Sequence, residues 1–407
     1  MNRWKSQKLA DLAVFYPGTA FPIKYQGRSK GAIPFAKVGD ISKAARSRKR
    51  YLTSTDHYID QTDLAELRAR LIPPGTVVFA KIGEAIRHNY RVVTSNSCLI
   101  DNNAMGVKPN NEALDSGYFY HFTRTLDFYQ LAASTTVPSV RKSDLAEIEV
   151  PLPSLDEQQR IAAVLDKVDV LREQRRRAIA LLDELTQSIF IEMFGNPPDR
   201  WAATTVENVA KDQKGSIRTG PFGSQLLHEE FVEEGVAVLG IDNAVSNEFR
   251  WSGRRFITLE KYRKLSRYKV HPGDVLITIM GTCGRSAVVP VDIPEAINTK
   301  HLCCITLDQD QCLPDFLHDY FLMHPIAKSY LAKTTKGAIM SGLNMGIIKM
   351  LPLKLPPLDL QLDYVSKIAA IRTQKQAAQA HLAELDALFA SVQWRAFRGE
   401  LWETSSD

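Results

Sequence analysis

The 407 residues are 44% apolar and 24% charged, with 22 glycines and 20 prolines, which excludes a disordered chain and suits two or three domains. No run of 18 apolar residues occurs, and Met1-Asn2-Arg3-Trp4-Lys5 is not followed by an apolar stretch. The expectation is therefore no membrane span, no signal peptide and a cytoplasmic location. The net charge of +5 is unevenly placed: residues 1–150 carry 21 Lys and Arg against 14 Asp and Glu, residues 151–197 carry 6 against 8, residues 198–354 carry 19 against 17, and residues 355–407 carry 5 against 7. Two basic segments alternate with two acidic ones, and the basic ones suit a polyanion.

In chain order, residues 1–150 read as a first globular part. Ala32–Val38 reads as a strand, Thr62–Arg70 as a short helix, Thr76–Ile82 as a strand after a Pro-Gly turn, and Ser116–Ser134 as helical. Residues 151–197 hold a long helix. From Asp156 to Phe194 no Pro or Gly intervenes; Asp156 is the expected N-cap with Gln159 as its capping-box partner, and Gly195 with Pro197-Pro198 stops it. Its length would be about 58 Å. An apolar stripe runs through Ile161, Val164, Val168, Leu171, Ala178, Leu182, Leu185 and Ile189, with Arg175 the exception.

Residues 198–354 form a second globular part. Gly235–Ile241 and Asp274–Ile279 read as strands, Leu259–Lys264 and Pro314–Ala332 as helices. Residues 355–407 close with a second long helix, from about Asp359 to Arg398, striped by Ile371, Ala378, Leu382, Leu385, Phe389 and Val392, which Lys375 interrupts. Helices this long with one apolar stripe need a partner in water. Each is the economical partner of the other, and antiparallel pairing is favoured because each follows its own globular part; a bundle with another chain is the alternative.

The chain is written twice. A shift of 203 aligns Pro153 with Pro356, Leu155 with Leu358, Asp156 with Asp359, Gln158 with Gln361, Leu182 with Leu385 and Phe194 with Phe397. A shift of 198 aligns Pro74–Gly83 with Pro272–Gly281. Several matches in one order indicate a duplicated unit of about 200 residues, β-rich first and then helical.

Chemistry motifs are missing. The chain has no GxxxxGK[ST] phosphate loop, no FxGxG turn, no GxSxG elbow and no HxxxH or HExxH pair. Asn196-Pro197-Pro198-Asp199 puts Asp where an amino-methyltransferase needs an aromatic ring, and reads as a helix terminator. Pro198-Asp199 with Asp212-Gln213-Lys214 imitates a nuclease signature too loosely to count. The five cysteines contain no CxxC, and neighbouring Cys303 and Cys304 on a strand would face opposite ways, so no metal site or disulfide framework is expected.

Pro151-Leu-Pro-Ser-Leu-Asp-Glu-Gln-Gln-Arg-Ile-Ala leading to Glu192-Met-Phe-Gly-Asn-Pro197, and Leu355-Pro-Pro-Leu-Asp-Leu-Gln361 leading to Arg395-Ala-Phe-Arg-Gly-Glu-Leu401, resemble the specificity subunit of Type I restriction–modification enzymes. Thr219-Gly-Pro-Phe-Gly-Ser-Gln-Leu226, Pro272–Ile277 and Gly281–Ser286 resemble one of its target-recognition domains. The first part departs from that pattern, with Thr19-Ala-Phe-Pro22 a loose echo and Gly83-Glu-Ala-Ile-Arg87 in place of Gly281–Arg285.

The resemblance implies an α+β fold class: two α+β target-recognition domains separated by two long helices that form an antiparallel coiled coil, as a pseudo-two-fold internal repeat. It implies a non-catalytic subunit whose domains each read half of a gapped site in double-stranded DNA, while the helices set the spacing and dock two modification (methyltransferase) subunits. It places no cofactor in this chain. S-adenosylmethionine belongs with the modification subunits, and ATP and Mg with motor-nuclease restriction subunits.

Cations and amides beside glycines are the groups that reach bases and phosphates. In the first domain these are Lys81, Arg87, His88, Asn89, Arg91, Arg141 and Lys142, with Lys43–Arg50 as a further phosphate-contact run. In the second they are Arg218, Ser224, Gln225, Arg285, Lys336, Ser341 and Asn344. Pro221, Phe222 and Gly223 read as a turn with a core aromatic. Arg172, Arg175, Arg176 and Arg177 on the first long helix read either as a solvated face or as a stripe for partner docking or the DNA backbone.

Overall fold

The computed structural model describes residues 4–132, 137–335 and 342–402. It divides into two compact units. Unit 1 comprises Met1–Arg177 with Ala378–Asp407, and unit 2 comprises Ala178–Ala377, so each unit holds one globular part and half of each long helix.

The two globular parts share a topology. In unit 1 a sheet runs in the order Ala13–Pro17, Ala104–Pro109, Val77–Ala80, Val92–Thr94, Tyr51–Leu52, antiparallel except for its last pair. In unit 2 the order is Ile217–Thr219, Leu302–Ile305, Val275–Thr278, Ser286–Val288, all antiparallel. A second sheet places Ile33–Ala36 between Tyr58–Ile59 and a parallel Leu99–Ile100, and unit 2 repeats it with Val236–Leu239 between Phe256–Ile257 and a parallel Ala296–Asn298. A short ribbon, Ser6–Lys8 with Glu149–Pro151, recurs as Ala202–Thr205 with Pro352–Leu355. The expected strands are all present within a residue or two of their sequence bounds. The expected helices at Ser116–Ser134 and Pro314–Ala332 are each broken in two, at Arg124–Asp127 and at His324 before Pro325.

The long helices span Leu155–Phe194 and Leu358–Arg398. The first starts one residue before Asp156, and its cap is Ser154, whose hydroxyl accepts from Glu157 N at 3.4 Å and whose carbonyl accepts from Gln158 N at 2.9 Å. The Asp156 cap is thus corrected: Ser154 lies just outside the first turn, where a short hydroxyl can reach a free N–H. At the far end a Cβ on Gly195 would lie 2.5 Å from the Ile191 carbonyl.

The helices pair antiparallel. Ile161, Leu165 and Val168 share one core with Phe389, Ala396 and Phe397 in unit 1. Phe190 and Phe194 share another with Tyr364 and Ile368 in unit 2. Arg172 pairs with Asp386 at 2.5 Å, and Lys375 pairs with Asp183 at 2.6 Å. These bonds are equivalent under the shift of 203. The stripe of the second helix holds, but that of the first is corrected: Leu171 and Leu185 are 41% and 46% exposed, because Leu165, Phe190 and Phe194 turn a different face inward, toward the globular cores.

Each helix is tied to its own globular part by the same device. Gln158 is fully buried, accepting from Asp115 N at 2.8 Å and donating to the Ala113 and Pro153 carbonyls. Gln361 accepts from Leu313 N at 2.8 Å and donates to Gln311 and Pro356. The neighbouring ion pairs reverse sign. In unit 1 Arg124 meets Asp169 on the helix, whereas in unit 2 Asp315 and Asp319 meet Arg372 on the helix.

Candidate nucleic-acid interface

Strand register brings four loops of unit 2 to one edge. Thr219 pairs with Cys303 and Thr278 with Leu302, so the chain leaves both strands beside the start of Leu302–Ile305. Leu239 pairs with Asn298, so the second sheet opens at the same edge. Cross-bonds close the set: Thr299 N donates to Leu239 O, Gly220 N to Thr299 O and Ile279 N to His301 O. The loops are 220–225, 240–255, 279–285 and 299–301. Gly281 and Gly284 take φ of +69° and +80°, which fold the third loop back within a few residues.

Unit 1 builds the same edge from 18–25, the chain from Lys37, 81–89 and 101–103, with Thr19 N donating to Ile100 O and Lys81 N to Asn103 O. Gly18 and Gly220 occupy matching places. A Cβ on either would meet the carbonyl of Asp101 or Asn298 at 1.7 or 2.0 Å, so only glycine lets these loops cross the sheet.

The expected site residues divide into four groups. Lys81 and, beside it through the Val140 N bond to Lys81 O, the exposed Arg141 lie at the edge in unit 1. Ser224, Gln225 and Arg285 lie there in unit 2, all exposed. Gln225 accepts from Phe222 N and from the Tyr268 hydroxyl, and Arg285 makes no ion pair with a described residue. Asn344 spends its Oδ1 capping the helix Met345–Lys349. Arg87 and His88 are exposed on the turn after Lys81, Arg87 against Glu84 and the Tyr129 ring, His88 stacked on Tyr90. Lys142 reaches over the Phe15 ring.

Three assignments are corrected. Arg218 is 8% exposed and pairs with Asp274 at 2.6 Å while donating to Lys269 O and Thr306 Oγ1. Arg91 is buried over Phe128 and donates to the carbonyls of Asn89 and Leu126; burial pushes its guanidinium down to about 9. Asn89, at φ +53°, donates to Leu126 O and accepts from Phe128 N. All three hold loops together, and Arg91 and Arg218 are buried away from the surface. Lys336 and Ser341 lie outside the described residues. Phe222 is half exposed rather than core, whereas Pro221 is buried.

Sequence reasoning missed Lys24, Lys37 and Lys300, and Arg250, Trp251, Arg254 and Arg255 of the second loop. Their signal was position, since Lys37 and Lys300 follow the ends of strands by one or two residues. The cations are felt locally: burial, then the charges of Lys300 and Arg255, hold His301 below the ordinary histidine range. Of the arginines on the first long helix, Arg172 and Arg176 are spent on Asp386, and Arg172 also on Asp169. Arg175 is half-buried and Arg177 exposed, and neither pairs with a described carboxylate.

Among the described residues no group of His, Cys, Asp and Glu is placed to hold a metal ion. Cys303 and Cys304 do face opposite ways, into different cores. Burial pushes the Cys303 thiol up to about 12, where it is neither nucleophile nor ligand. Among the described residues no helix is long and apolar enough to cross a membrane.

Residues 1–181 and 234–382 match the family model described as Type I restriction modification DNA specificity domain. The chain is 24% identical over 443 residues to the Type I restriction enzyme EcoBI specificity subunit of Escherichia coli, covering 98% of this chain and 86% of that one. It is 23% identical to the EcoKI specificity subunit of Escherichia coli (strain K12), covering 73% and 68%. In fold it is similar to the S subunit of a Type I restriction–modification system from M. genitalium, with a TM-score of 0.60 at 14% identity over 97% of this chain and 96% of that one. A second solved chain, from work on complex assembly and conformational transition of the type I R-M system, gives 0.52 at 18% identity over 98% of each. Twin sheet edges lined with cations, a buried set of inert thiols and a helix pair repeated about one axis of sequence symmetry fit what these matches establish: the chain belongs to the Type I restriction–modification specificity subunits, which recognise DNA and leave catalysis to others.

Proposed function

We propose that each unit reads one half of a gapped, two-part duplex site with the loop edge described above. The observation that carries this is the pairing of a shared scaffold with unlike loops. The Gly18 and Gly220 crossings match, yet Lys37 and Lys81 lie on the loops of one edge while Arg254 and Arg285 lie on those of the other. Two such edges would recognise two different half-sites, and the paired helices would set the interval between them.

Exposed apolar residues on the helices, Leu181, Leu185 and Leu362 among them, suit docking of two modification subunits. These would bring S-adenosylmethionine, and motor-nuclease restriction subunits would bring ATP and Mg; the chain would work on DNA in the cytoplasm. Methylome sequencing of the host with and without this gene tests the reading. The expected result is loss of methylation at one bipartite, asymmetric motif. Unchanged methylation, or loss at an ungapped motif, overturns it.

A further inference from the structure

The helix–loop junction differs in charge between the two halves. In unit 2 the loop 240–255 meets the helix pair through Glu248, which joins Asp183 on Lys375, so one ammonium is flanked by two carboxylates. The matching place in unit 1 is the turn that follows helix Val38–Arg46. Arg50 anchors this turn to the first long helix through Asp166 at 2.6 Å. The turn just before the anchor carries Arg46, Arg48 and Lys49, all exposed, and the helix beside it carries Arg175, Arg176 and Arg177.

Carboxylates do not balance this cluster. Asp166 is taken by Arg50 and His121, Asp169 by Arg124 and Arg172, and Asp386 by Arg172 and Arg176. Arg46, Arg48, Lys49, Arg175 and Arg177 make no ion pair with a described residue. Burial, then the charges of Arg48 and Arg172, work against protonation of Arg176, which Asp386 and Glu173 only partly offset. Lys43 and Arg46 have a local reason to be basic, since they lie in the last turn of a helix, where the backbone dipole favours cations. Arg48, Lys49, Arg175 and Arg177 have none. The junction in unit 2, where carboxylates outnumber the ammonium they flank, shows that the fold does not need the excess.

We infer that this surface of unit 1 binds the phosphate backbone of duplex DNA, outside the bases that the loop edges read. The inference rests on the proposed DNA reading and adds a sequence-independent contact to it. Cations without carboxylate partners, on a long side chain and a fixed helix, suit a line of phosphates, and their contribution is released counterions rather than base discrimination. A protein partner is the competing occupant of the same arginines.

The test measures affinity of the full chain for a duplex carrying its motif and for a scrambled duplex, across a salt series, with the variant Arg48→Asn, Arg175→Ala, Arg177→Ala. Asn suits the left-handed backbone at Arg48, where φ is +54°. Each lost phosphate contact lowers the slope of log K against log salt by about 0.9, so the slope should fall by roughly two to three on both duplexes, with their affinity ratio unchanged. An unchanged slope, with or without loss of assembly with modification subunits, overturns the inference and leaves the base-reading proposal standing. A changed affinity ratio overturns it too, since the arginines would then be reading sequence. A wild-type chain with no salt-dependent duplex binding overturns both.

Discussion

Arg218 and Asp274 form an ion pair at 2.6 Å with side chains only 8% and 1% exposed, inside the sheet that carries the unit 2 loops. Thr306 adds a hydrogen bond to the same carboxylate at 2.6 Å. Removing one partner leaves an uncompensated buried charge, which costs roughly 3–5 kcal/mol. Arg218→Ala should therefore lower the midpoint of chemical denaturation sharply while the folded fraction keeps its discrimination between duplexes. A variant of normal stability with altered discrimination would return Arg218 to the reading surface.

Arg285 is the contrasting case, exposed on a two-glycine turn whose backbone is fixed by Thr278: Arg285 N donates to Thr278 Oγ1 at 2.9 Å. Arg285→Ala should leave stability within about 0.5 kcal/mol of wild type. It should cost about 1–3 kcal/mol of binding, confined to one position of the half-site read by unit 2. Competition binding with single-base substitutions across both half-sites distinguishes this from a uniform loss, which would mark a phosphate contact.

These two arginines show where the sequence was legible and where it was not. Periodicity, Pro-Gly turns and the shift of 203 displayed the repeat, the strands and both long helices, because those signals are local. A cation's employment is not local. Arg218 meets a carboxylate 56 residues away and Arg172 meets one 214 residues away. The inward face of the first helix was misjudged at Leu171 and Leu185 for a related reason: its ends pack on a globular core that a helical pattern alone does not reveal.

Spacing should follow helix length. Removing residues 174–180 together with 377–383 takes seven residues from each helix, shortening both by about 10 Å, close to two turns. The methylated motif of such a variant should lose about three base pairs of its gap at roughly 3.4 Å each. Methylation at the original gap would refute a ruler made of these helices.

Stability should fall in mild acid. His121, His318 and His324 are buried, and burial holds each below the ordinary histidine value of 6.5, even though His121 lies 2.6 Å from Asp166. The unfolded chain binds these protons first, so their contribution is complete above about pH 6.5 and is lost as pH falls toward the folded values. Denaturation midpoints measured from pH 7.5 to 5 should decline, and His121→Gln should make the decline shallower. A flat profile in the wild type would show that these rings take up protons alike in the folded and unfolded chains.

The bonds Arg172–Asp386 and Lys375–Asp183 carry a consequence for ancestry. The first long helix alone holds a cation at 172 and a carboxylate at 183, so it owns both halves of the contact it makes with its neighbour. Two copies of a one-headed polypeptide could close the same clasp about a true dyad and would recognise an inverted repeat. On the proposed reading, a single polypeptide would give up that palindrome and let each head differ without disturbing the clasp.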